Sequence, residues 1–390
     1  MKKTLIFIVL FTVGCQLFSI VPVYYGARSL SLGYAGTAYN YDLNAVFINP
    51  SLLASFSSAM TGYQYQNSYL DNKDFSGNLS DVLDYDLKHF ESLPTNQKEI
   101  LYSKLHDLFS LKSGIYGFSA NIPGFAGQNY GISVSLVNTT VMNPVDPGAG
   151  FFDKDPGNVS NADIASLSMN IFGLRYKQIS LSYAFGLSNN LYFGVTFHYL
   201  NGKVTESRPS IVTDVFSEDL SAKDYIERGW HQADKKFSKI IVDLSLSMDV
   251  GRYFKVALVT KNVGNPQIKS QLRTITLDRR VIAGLAFRPD SQWGIYLDMD
   301  IAKTDLLHNG DKMQPMSFGI EKGFFDNRFF LRAGFLSDLT EKHFFGSKSS
   351  ALYGLGLGFN MKKFLVDFAV GMDSSGSVKN LAISGFISLQ

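Results

Sequence analysis

The feature that most restricts how this chain folds is a regular alternation between large apolar side chains and a mixed set of small, polar and charged ones. In residues 191–200, the odd positions hold leucine, phenylalanine, valine and tyrosine, while the even positions are mixed in size and polarity. A period of two residues is that of a β-strand, whose successive side chains point to opposite faces. With Lys322 as an exception, the charged residues of these segments nearly all fall on the face opposite the large apolar ones: Asp243, Asp249, Lys255, Lys261, Arg288, Asp298, Asp300, Glu321, Arg332 and Asp367.

Fourteen segments follow this pattern, and most have the length of about 9–13 residues that a tilted strand needs to cross a bilayer. The candidate strands are 59–70, 113–122, 129–140, 175–187, 191–203, 237–250, 253–263, 279–288, 293–302, 315–324, 328–336, 351–360, 363–372 and 380–390. Long connections of about 7–42 residues alternate with turns of about 2–6 residues. Transmembrane barrels sort their loops in this way, whereas a soluble sandwich has no reason to do so. The sequence therefore predicts an all-β fold, a 14-stranded antiparallel transmembrane β-barrel.

The N-terminus has the features of a signal peptide, which we assign to residues 1–19. Lys2 and Lys3 precede an apolar run at 5–13 that is too short to span a bilayer. Cys15 is either removed with this leader or becomes the acylated first residue of a lipoprotein. No later segment offers about 18 consecutive apolar residues, so we expect export to the bacterial outer membrane as a multi-pass barrel. The barrel assembly machinery and outer-membrane lipids are then its expected partners.

Composition argues against several functional classes. The formal net charge is +2 and no block of like charge stands out, so no nucleic-acid partner is expected. With Cys15 as the one cysteine, no disulfide scaffold is expected. The six histidines are scattered without metal-ligand spacing. His198 lies on the lumen face of a predicted strand with Ser182 on a neighbouring one, but both point inward, so we predict neither an enzyme nor a cofactor.

Residues 20–58 precede the barrel and do not alternate. The stretch 27–54 is rich in glycine, alanine and asparagine, and it is interpreted either as a periplasmic tail or, preferably, as a plug that fills a lumen otherwise left open. The barrel is assigned to 59–390, with long outer loops at 71–112, 141–174 and 204–236. The third of these loops is charged and polar and is expected to be solvated surface.

The first long loop contains a helix candidate. Pro94 precedes it, Thr95 is a possible cap, and apolar residues recur at helical spacing over 100–109. An amphipathic helix at this place either collects hydrophobic ligands or forms a structural cap over the barrel mouth, and the sequence does not separate the two.

Two N-terminal motifs carry a family resemblance. The stretch 26–33, Gly-Ala-Arg-Ser-Leu-Ser-Leu-Gly, and the stretch 44–53, which contains Asn49-Pro50-Ser51, resemble the hatch of the FadL-type superfamily of long-chain fatty acid transporters. This group includes PorV-like and TraF-like proteins. Asn49 and Pro50 match its Asn-Pro-Ala signature, while Ser51 replaces the alanine. The resemblance implies a 14-stranded barrel and a role for Asn49, Pro50 and Ser51 in the hatch and in ligand gating.

The same resemblance implies passage of hydrophobic molecules, such as long-chain fatty acids, through the outer membrane. The ligand would enter among the outer loops, reach an apolar lumen pocket, and leave sideways through hatch movement or a kinked strand. The residues of that pocket are not identified by the resemblance. The alternative is a PorV-like secretion-system partner or a surface-interaction protein, which predicts a sealed lumen and function in the three long loops.

Overall fold

The computed structural model describes residues 26–71, 75–110, 115–148, 150–212, 234–305, 312–340, 351–361, 363–374 and 378–389. The predicted signal peptide at 1–19, including Cys15, lies outside the described residues, as does the C-terminal Gln390. Within the described part of the chain, no helix is both long and apolar enough to cross a membrane.

Fourteen strands of the described residues form one closed antiparallel barrel, in which each strand pairs with its neighbours along the chain and the last closes against the first. The barrel strands are β1 (Ala59–Asp71), β2 (Ile115–Ala126), β3 (Tyr130–Pro144), β4 (Met169–Gly186), β5 (Leu191–Ser207), β6 (Asp234–Val250), β7 (Phe254–Lys261), β10 (Arg280–Phe287), β11 (Trp293–Asp300), β14 (Pro315–Phe324), β15 (Phe329–Asp338), β16 (Ala351–Met361), β17 (Phe364–Asp373) and β18 (Val378–Leu389). Each predicted segment coincides with one of them, which confirms the predicted fold class.

Short elements occupy the ends of the barrel and its interior. Within the described ranges, two hairpins lie in long connections: β8 (Gln267–Lys269) with β9 (Thr274–Thr276), and β12 (Thr304–Asp305) with β13 (Lys312–Met313). The α-helices of these ranges are α1 (Ala27–Ser31), α2 (Ala45–Ile48), α3 (Phe75–Leu83), α4 (Thr95–Phe109) and α5 (Asn161–Ser166). Their 3-10 helices are η1 (Pro50–Ser55), η2 (Leu87–Ser92) and η3 (Pro156–Asn158).

The predicted alternation sorts side chains between the outside and the lumen. On β5, Phe197 is 51% exposed on the outer surface, whereas Thr196 and His198 are buried in the interior. Leu181 on β4 and Ile240 on β6 are likewise exposed. Since an apolar outer band and a polar interior are what a membrane-spanning barrel requires, the outer face of these strands is suited to lipid.

Two of the predicted outer loops are shorter than expected. β3 continues to Pro144 and β4 begins at Met169, so the connection is 145–168 rather than 141–174. β5 continues to Ser207 and β6 begins at Asp234, which shortens the loop predicted at 204–236, of which 213–233 lie outside the described residues. Its first part is also not solvated, because Glu206 is buried. Past the predicted strand ends, backbone pairing of β3, β4 and β5 continues without the apolar alternation on which the prediction relied.

The outer end of the barrel carries a helical cap with an apolar core of its own. The predicted helix is present as α4, with Thr95 as its first residue rather than a side-chain cap. Its apolar side, including Leu101, Leu105 and Leu108, is fully buried against α3 and residues of the 145–168 loop. Of the two interpretations, the structural cap is therefore the one that the packing favours, although Ile100 remains exposed.

Residues 26–58, here called the N-terminal segment, lie inside the barrel. α1 contacts β15–β18, and η1 contacts β3–β6, so the segment reaches walls on different sides of the lumen. The close approach of α1 depends on glycines of the wall: a Cβ on Gly354 would overlap the Leu30 carbonyl, and one on Gly334 would overlap the backbone at Leu32. Gly354 and Gly356 of the glycine-rich stretch are thus part of the docking surface for the N-terminal segment, since a Cβ on Gly356 would also overlap Ser31.

We predict that Gly354→Val displaces the N-terminal segment, because an added side chain meets backbone that has no room to yield. Overpacking of this kind costs about 1–3 kcal/mol. The variant should show a lower apparent unfolding temperature, followed by heat-modifiable gel mobility, and a higher conductance in planar bilayers. Gly385→Val is the matched control, since a Cβ on Gly385 of β18 meets no atom within 4 Å. Equal conductance in the two variants would contradict the docking.

Candidate functional site

The N-terminal segment is shaped by local backbone signals. Gly26 and Gly33, at φ 90° and φ 62°, adopt left-handed conformations on either side of α1 that favour glycine. Pro50 is the first residue of η1, where its missing N–H costs no hydrogen bond. Asn49 caps η1, because its Oδ1 accepts the Ser51 N–H at 3.0 Å.

The three residues that the sequence singled out lie together in the lumen, against β6. The Asn49 amide Nδ2 donates to the Thr37 carbonyl at 2.7 Å, which ties two turns of the segment together. The Ser51 hydroxyl donates to Asn49 Oδ1 at 2.6 Å. Ser245 Oγ accepts the Ser51 N–H at 2.9 Å, and Ser247 Oγ lies 2.8 Å from Ser51 Oγ. Serine in place of the family's alanine therefore adds a polar contact to the barrel wall.

A buried network of charges holds the other end of the segment. Arg28 donates from Nε and Nη2 to the two carboxylate oxygens of Glu321, at 3.2 and 3.3 Å. Arg332 donates to the same carboxylate at 2.6 Å and to Asp367 at 2.6 Å. All four side chains are almost completely buried. Buried ions are tolerated only when they are paired and hydrogen-bonded, so this network fixes α1 in one position against β14, β15 and β17.

Tyrosines complete the surroundings of Arg28. The Tyr41 and Tyr296 hydroxyls donate to Glu321 at 3.1 and 3.0 Å. The Arg28 guanidinium carbon lies 4.4 Å from the Tyr41 ring centre and 5.3 Å from that of Tyr296, which is cation–π geometry. Tyr41 belongs to the N-terminal segment and Tyr296 to β11, so the segment and the barrel share this site.

Asp298 provides a further attachment on β11. Its Oδ2 accepts the N–H groups of Gly36 at 2.9 Å and Thr37 at 2.8 Å. A carboxylate that accepts two backbone N–H groups holds the turn between α1 and α2 at a defined place on the wall.

A second polar chain runs along β4, β5, β6 and β7. The Ser180 hydroxyl lies 2.8 Å from His198 Nδ1, and His198 Nε2 lies 3.0 Å from Asp243 Oδ2. Lys261 donates to Asp243 at 2.9 Å, and it also donates to the carbonyl of Phe47 in the N-terminal segment. The serine, histidine and aspartate are all buried. The chain therefore ends on the N-terminal segment, and its geometry is that of a structural link.

The sequence placed His198 and Ser182 on the lumen side of neighbouring strands, and both side chains are buried there. Ser182 does not contact His198: its hydroxyl lies 2.7 Å from Thr196 Oγ1 and donates to the Val46 carbonyl at 3.2 Å. Ser180 is the residue that meets His198, because the two are direct cross-strand partners in the register of β4 and β5. Strand parity and pairing register together identify Ser180 as the partner of His198.

An apolar region, here called the outer chamber, lies beyond this polar chain toward the outer end of the barrel. The lumen-facing residues of β4 pass through three layers from the outer end. Phe172 and Leu174 belong to the apolar region, Ser180 to the polar chain, and Ser182 contacts the N-terminal segment. The chamber residues are buried and mostly line the lumen face of β3–β6: Val141, Phe172, Leu174, Leu200, Val204, Phe237, Ile241, Ile268 and Ile275.

The last two of these residues come from the β8–β9 hairpin, which closes over the chamber. The hairpin is attached to β5 through Glu206, whose carboxylate accepts the Ser270 hydroxyl at 2.6 Å and lies 2.9 Å from the Arg273 Nε. Glu206 is 2% exposed. A long connection between β7 and β10 thus supplies both an apolar lid and the polar contacts that hold it.

The helical cap beside the hairpin is held by surface pairs as well as by its core. Ser160 and Asp163 form a capping box at the start of α5. The Lys154 ammonium donates to Asp163 at 2.6 Å, and this hydrogen bond, with those from Ser160, lowers the pKa of Asp163 to about 2. The carboxylate is therefore ionised at neutral pH, and the cap keeps this contact there.

Comparison with known proteins gives structures but no sequence relatives: neither a protein-family model nor a curated protein matches this sequence. A monoaromatic hydrocarbon channel named CymD matches with a TM-score of 0.53 at 12% identity, over 95% of this chain and 99% of that chain. The Pseudomonas putida toluene transporter TodX matches with a TM-score of 0.52 at 11% identity, over 96% and 98%. A Pseudomonas aeruginosa FadL homologue matches with a TM-score of 0.52 at 10% identity, over 95% and 98%.

The chain has the FadL-type barrel fold. The matches cover nearly the whole of each protein, so the likeness applies to the complete FadL-type architecture. The fold expected from the resemblance at 26–33 and 44–53 is confirmed. At these identities the likeness concerns the fold, and the hydrocarbons named above are those of the other proteins.

We predict that Glu321→Gln releases α1 from the wall of the barrel. The substitution keeps the shape of the side chain but leaves Arg28 and Arg332 buried with less opposing charge. Breaking a buried ion pair in this way costs about 3–5 kcal/mol of stability. Conductance in planar bilayers should rise, and residues 26–58 should become accessible to protease. Asp107→Asn, which alters an exposed carboxylate of α4, is the control. Wild-type conductance and protease resistance in Glu321→Gln would show that the network does not hold the segment.

Proposed function

We propose that this chain carries hydrophobic small molecules across the outer membrane, with the N-terminal segment acting as the plug of the barrel. The observation that carries the proposal is the outer chamber: nine buried apolar residues that lie together on the outer side of the polar chain of Ser180, His198 and Asp243. Sites for small hydrophobic ligands are lined mainly by apolar and aromatic side chains, and the outer chamber has that composition. The named functions of the proteins that share the fold support the same substrate class.

Long-chain fatty acids are the specific substrates that the sequence resemblance suggests, and monoaromatic hydrocarbons are those named for two structural neighbours. Two phenylalanines, Phe172 and Phe237, and branched aliphatic side chains line the outer chamber. Such a surface accepts either an alkyl chain or an aromatic ring, since both gain from leaving water. We therefore propose hydrophobic molecules as the class, with fatty acids as the first member to test.

The proposed entry runs under the β8–β9 hairpin and into the outer chamber. Below the chamber, the ligand meets Gln178, Ser180 and His198, which are hydrogen-bonded to one another. The plug residues Asn49, Pro50 and Ser51 lie further toward the periplasm. In this proposal they hold the plug across the path, and gating requires their contacts with Ser245 and Ser247 to break.

A lateral exit is proposed between β2 and β3. Their pairing is continuous up to Asn121↔Leu136 and resumes at Gly124↔Ser133, whereas Ile122 and Pro123 pair with β1 but not with β3. Proline lacks the N–H that the ladder needs. Leu43 of the plug approaches Gly124 at the same place, so a shift of the plug would expose this gap to the lumen.

The second candidate is a sealed barrel that serves as a PorV-like secretion partner or surface-interaction protein. Two observations favour it: the plug is anchored by a fully buried charge network, and the outer cap has a closed core of its own. On this reading the outer chamber is lid packing, and the function resides in the long loops.

The test is uptake of labelled oleate and labelled toluene by a host that lacks its own transporter, with mass spectrometry of lipid bound to the purified protein. We expect uptake above the empty-vector level and copurified hydrophobic ligand. Leu200→Asn should reduce uptake about tenfold, because an unpaired amide in the outer chamber costs about 1–3 kcal/mol. Leu187→Asn is the matched control, since Leu187 is 54% exposed outside the chamber. Absence of both bound ligand and uptake would eliminate transport and favour the sealed barrel.

A further inference from the structure

A cavity of about 290 Å³ opens at the periplasmic end of the barrel, away from the outer chamber. It lies between the β6–β7 turn, the β10–β11 turn and Tyr39 of the N-terminal segment. The charged side chains that line it are Asp249, Arg252, Lys255, Arg288 and Asp290. This volume is at the small end of the range for ligand pockets. The cavity therefore suits a molecule much smaller than a long-chain fatty acid.

The charges in this cavity favour an anion. Three cations face two carboxylates, an excess of one positive charge. Asp290 Oδ1 accepts the N–H groups of Gln292 and Trp293, both at 2.7 Å, so this carboxylate is held against its own turn. Asp249 pairs with Lys255 at 3.2 Å and is itself 39% exposed at the side chain. The cavity therefore retains an excess of positive charge.

Lys255 and Arg288 are the cations best placed to bind a ligand. The Lys255 side chain is 10% exposed, and its ammonium lies 5.0 Å from the Tyr192 ring. The Arg288 guanidinium donates to the Tyr39 hydroxyl and to the Ser291 carbonyl, but its Nε is buried and has no hydrogen-bond partner among the described residues. A guanidinium has five N–H donors, and the two hydrogen bonds that Arg288 makes leave other donors for an anion in the cavity.

Apart from the polar Ser291, the remaining lining is aromatic or apolar and consists of Tyr39, Tyr253, Phe254, Ala286 and Pro289. An inorganic anion would leave this surface without a partner, whereas an organic acid would cover it. We propose that the cavity is a binding site for a small organic carboxylate, with Lys255 and Arg288 holding the carboxylate and Tyr39 and Tyr253 contacting its apolar part. This site goes beyond transport through the barrel, because it lies on the periplasmic side of the N-terminal segment.

Occupancy of the site affects the N-terminal segment through Tyr39. The Tyr39 ring lies 4.2 Å from the Arg288 guanidinium carbon, is stacked at 6.2 Å on Tyr296, and meets Tyr41 edge-on at 6.0 Å. Tyr296 and Tyr41 both hydrogen-bond Glu321. A carboxylate that accepts hydrogen bonds from Arg288 competes with the Tyr39 hydroxyl for them. Its binding therefore weakens a contact between the barrel wall and Tyr39, a residue of the N-terminal segment that also packs beside the buried charge network.

The test is calorimetric titration of the purified, folded barrel with sodium benzoate and sodium hexanoate, beside benzyl alcohol and hexanol. We expect both carboxylates to bind and both alcohols to fail. Arg288→Gln and Lys255→Gln should each weaken carboxylate binding at least about tenfold, because each removes a charge-assisted hydrogen bond. Arg328→Gln, in a different periplasmic turn, is the matched control and should bind as the wild type does. Heat-modifiable gel mobility verifies that each variant has a folded barrel.

Two outcomes overturn the site: no carboxylate binding to the wild-type barrel at millimolar concentration, or equal binding by wild type, Arg288→Gln and Lys255→Gln. Decanoate uptake in cells decides whether the bound carboxylate is the transported acid or a periplasmic solute. If Arg288→Gln loses binding and also slows uptake, the ligand is the transported acid on its way out. If binding is lost and uptake is unchanged, the ligand is a periplasmic solute. Failure of the wild type to transport any hydrophobic molecule leaves the calorimetric result intact, so the two proposals fail separately.

Discussion

The pairing of Glu321 with Arg28 and Arg332 is the interaction on which the interior of this barrel depends. A closed barrel of fourteen strands has a lumen too wide for its own side chains to fill, and the N-terminal segment occupies it. Charges that the strands bury there are stable only with partners. Because Arg28 comes from the segment while Glu321 and Arg332 come from the wall, removing the segment would leave the network incomplete. The stability of the barrel and the position of the N-terminal segment therefore depend on each other.

The sequence alone was sufficient for the barrel and for part of its interior. A period of two and alternating loop lengths located all fourteen strands, and parity put Asp243, Glu321 and Arg332 in the lumen. It did not reveal that Ser180 meets His198, or that Ile268 and Ile275 fold back over the outer chamber. These contacts depend on strand register and on loop conformation, which join residues far apart in sequence. The strand ends near Pro144 and Met169 were also missed, because pairing beyond the lipid leaves no apolar alternation to detect.

The lumen is arranged in layers that together favour hydrophobic transport over a simple seal. The outer chamber is apolar and lies under a hairpin that is fixed by Glu206. The proposed plug beneath it is held by hydrogen bonds, by ion pairs and by apolar packing of residues such as Leu43 and Val46 against the wall. In the proposed function, hydrophobic molecules collect in the outer chamber and movement of the plug decides their passage. Asn49 and Ser51 are the residues proposed to hold that plug.

The most direct measurement is uptake by the double variant Ser51→Cys and Ser247→Cys. The two hydroxyl oxygens lie 2.8 Å apart, so the cysteines are placed to form a disulfide between the proposed plug and β6. Cys15, in the predicted leader, is the one natural cysteine, and each single variant serves as the control. We predict that oxidation reduces labelled oleate uptake to the empty-vector level and that a reductant restores it. Uptake that is the same in oxidised and reduced cells, with the disulfide verified by mass spectrometry, would contradict movement of the plug.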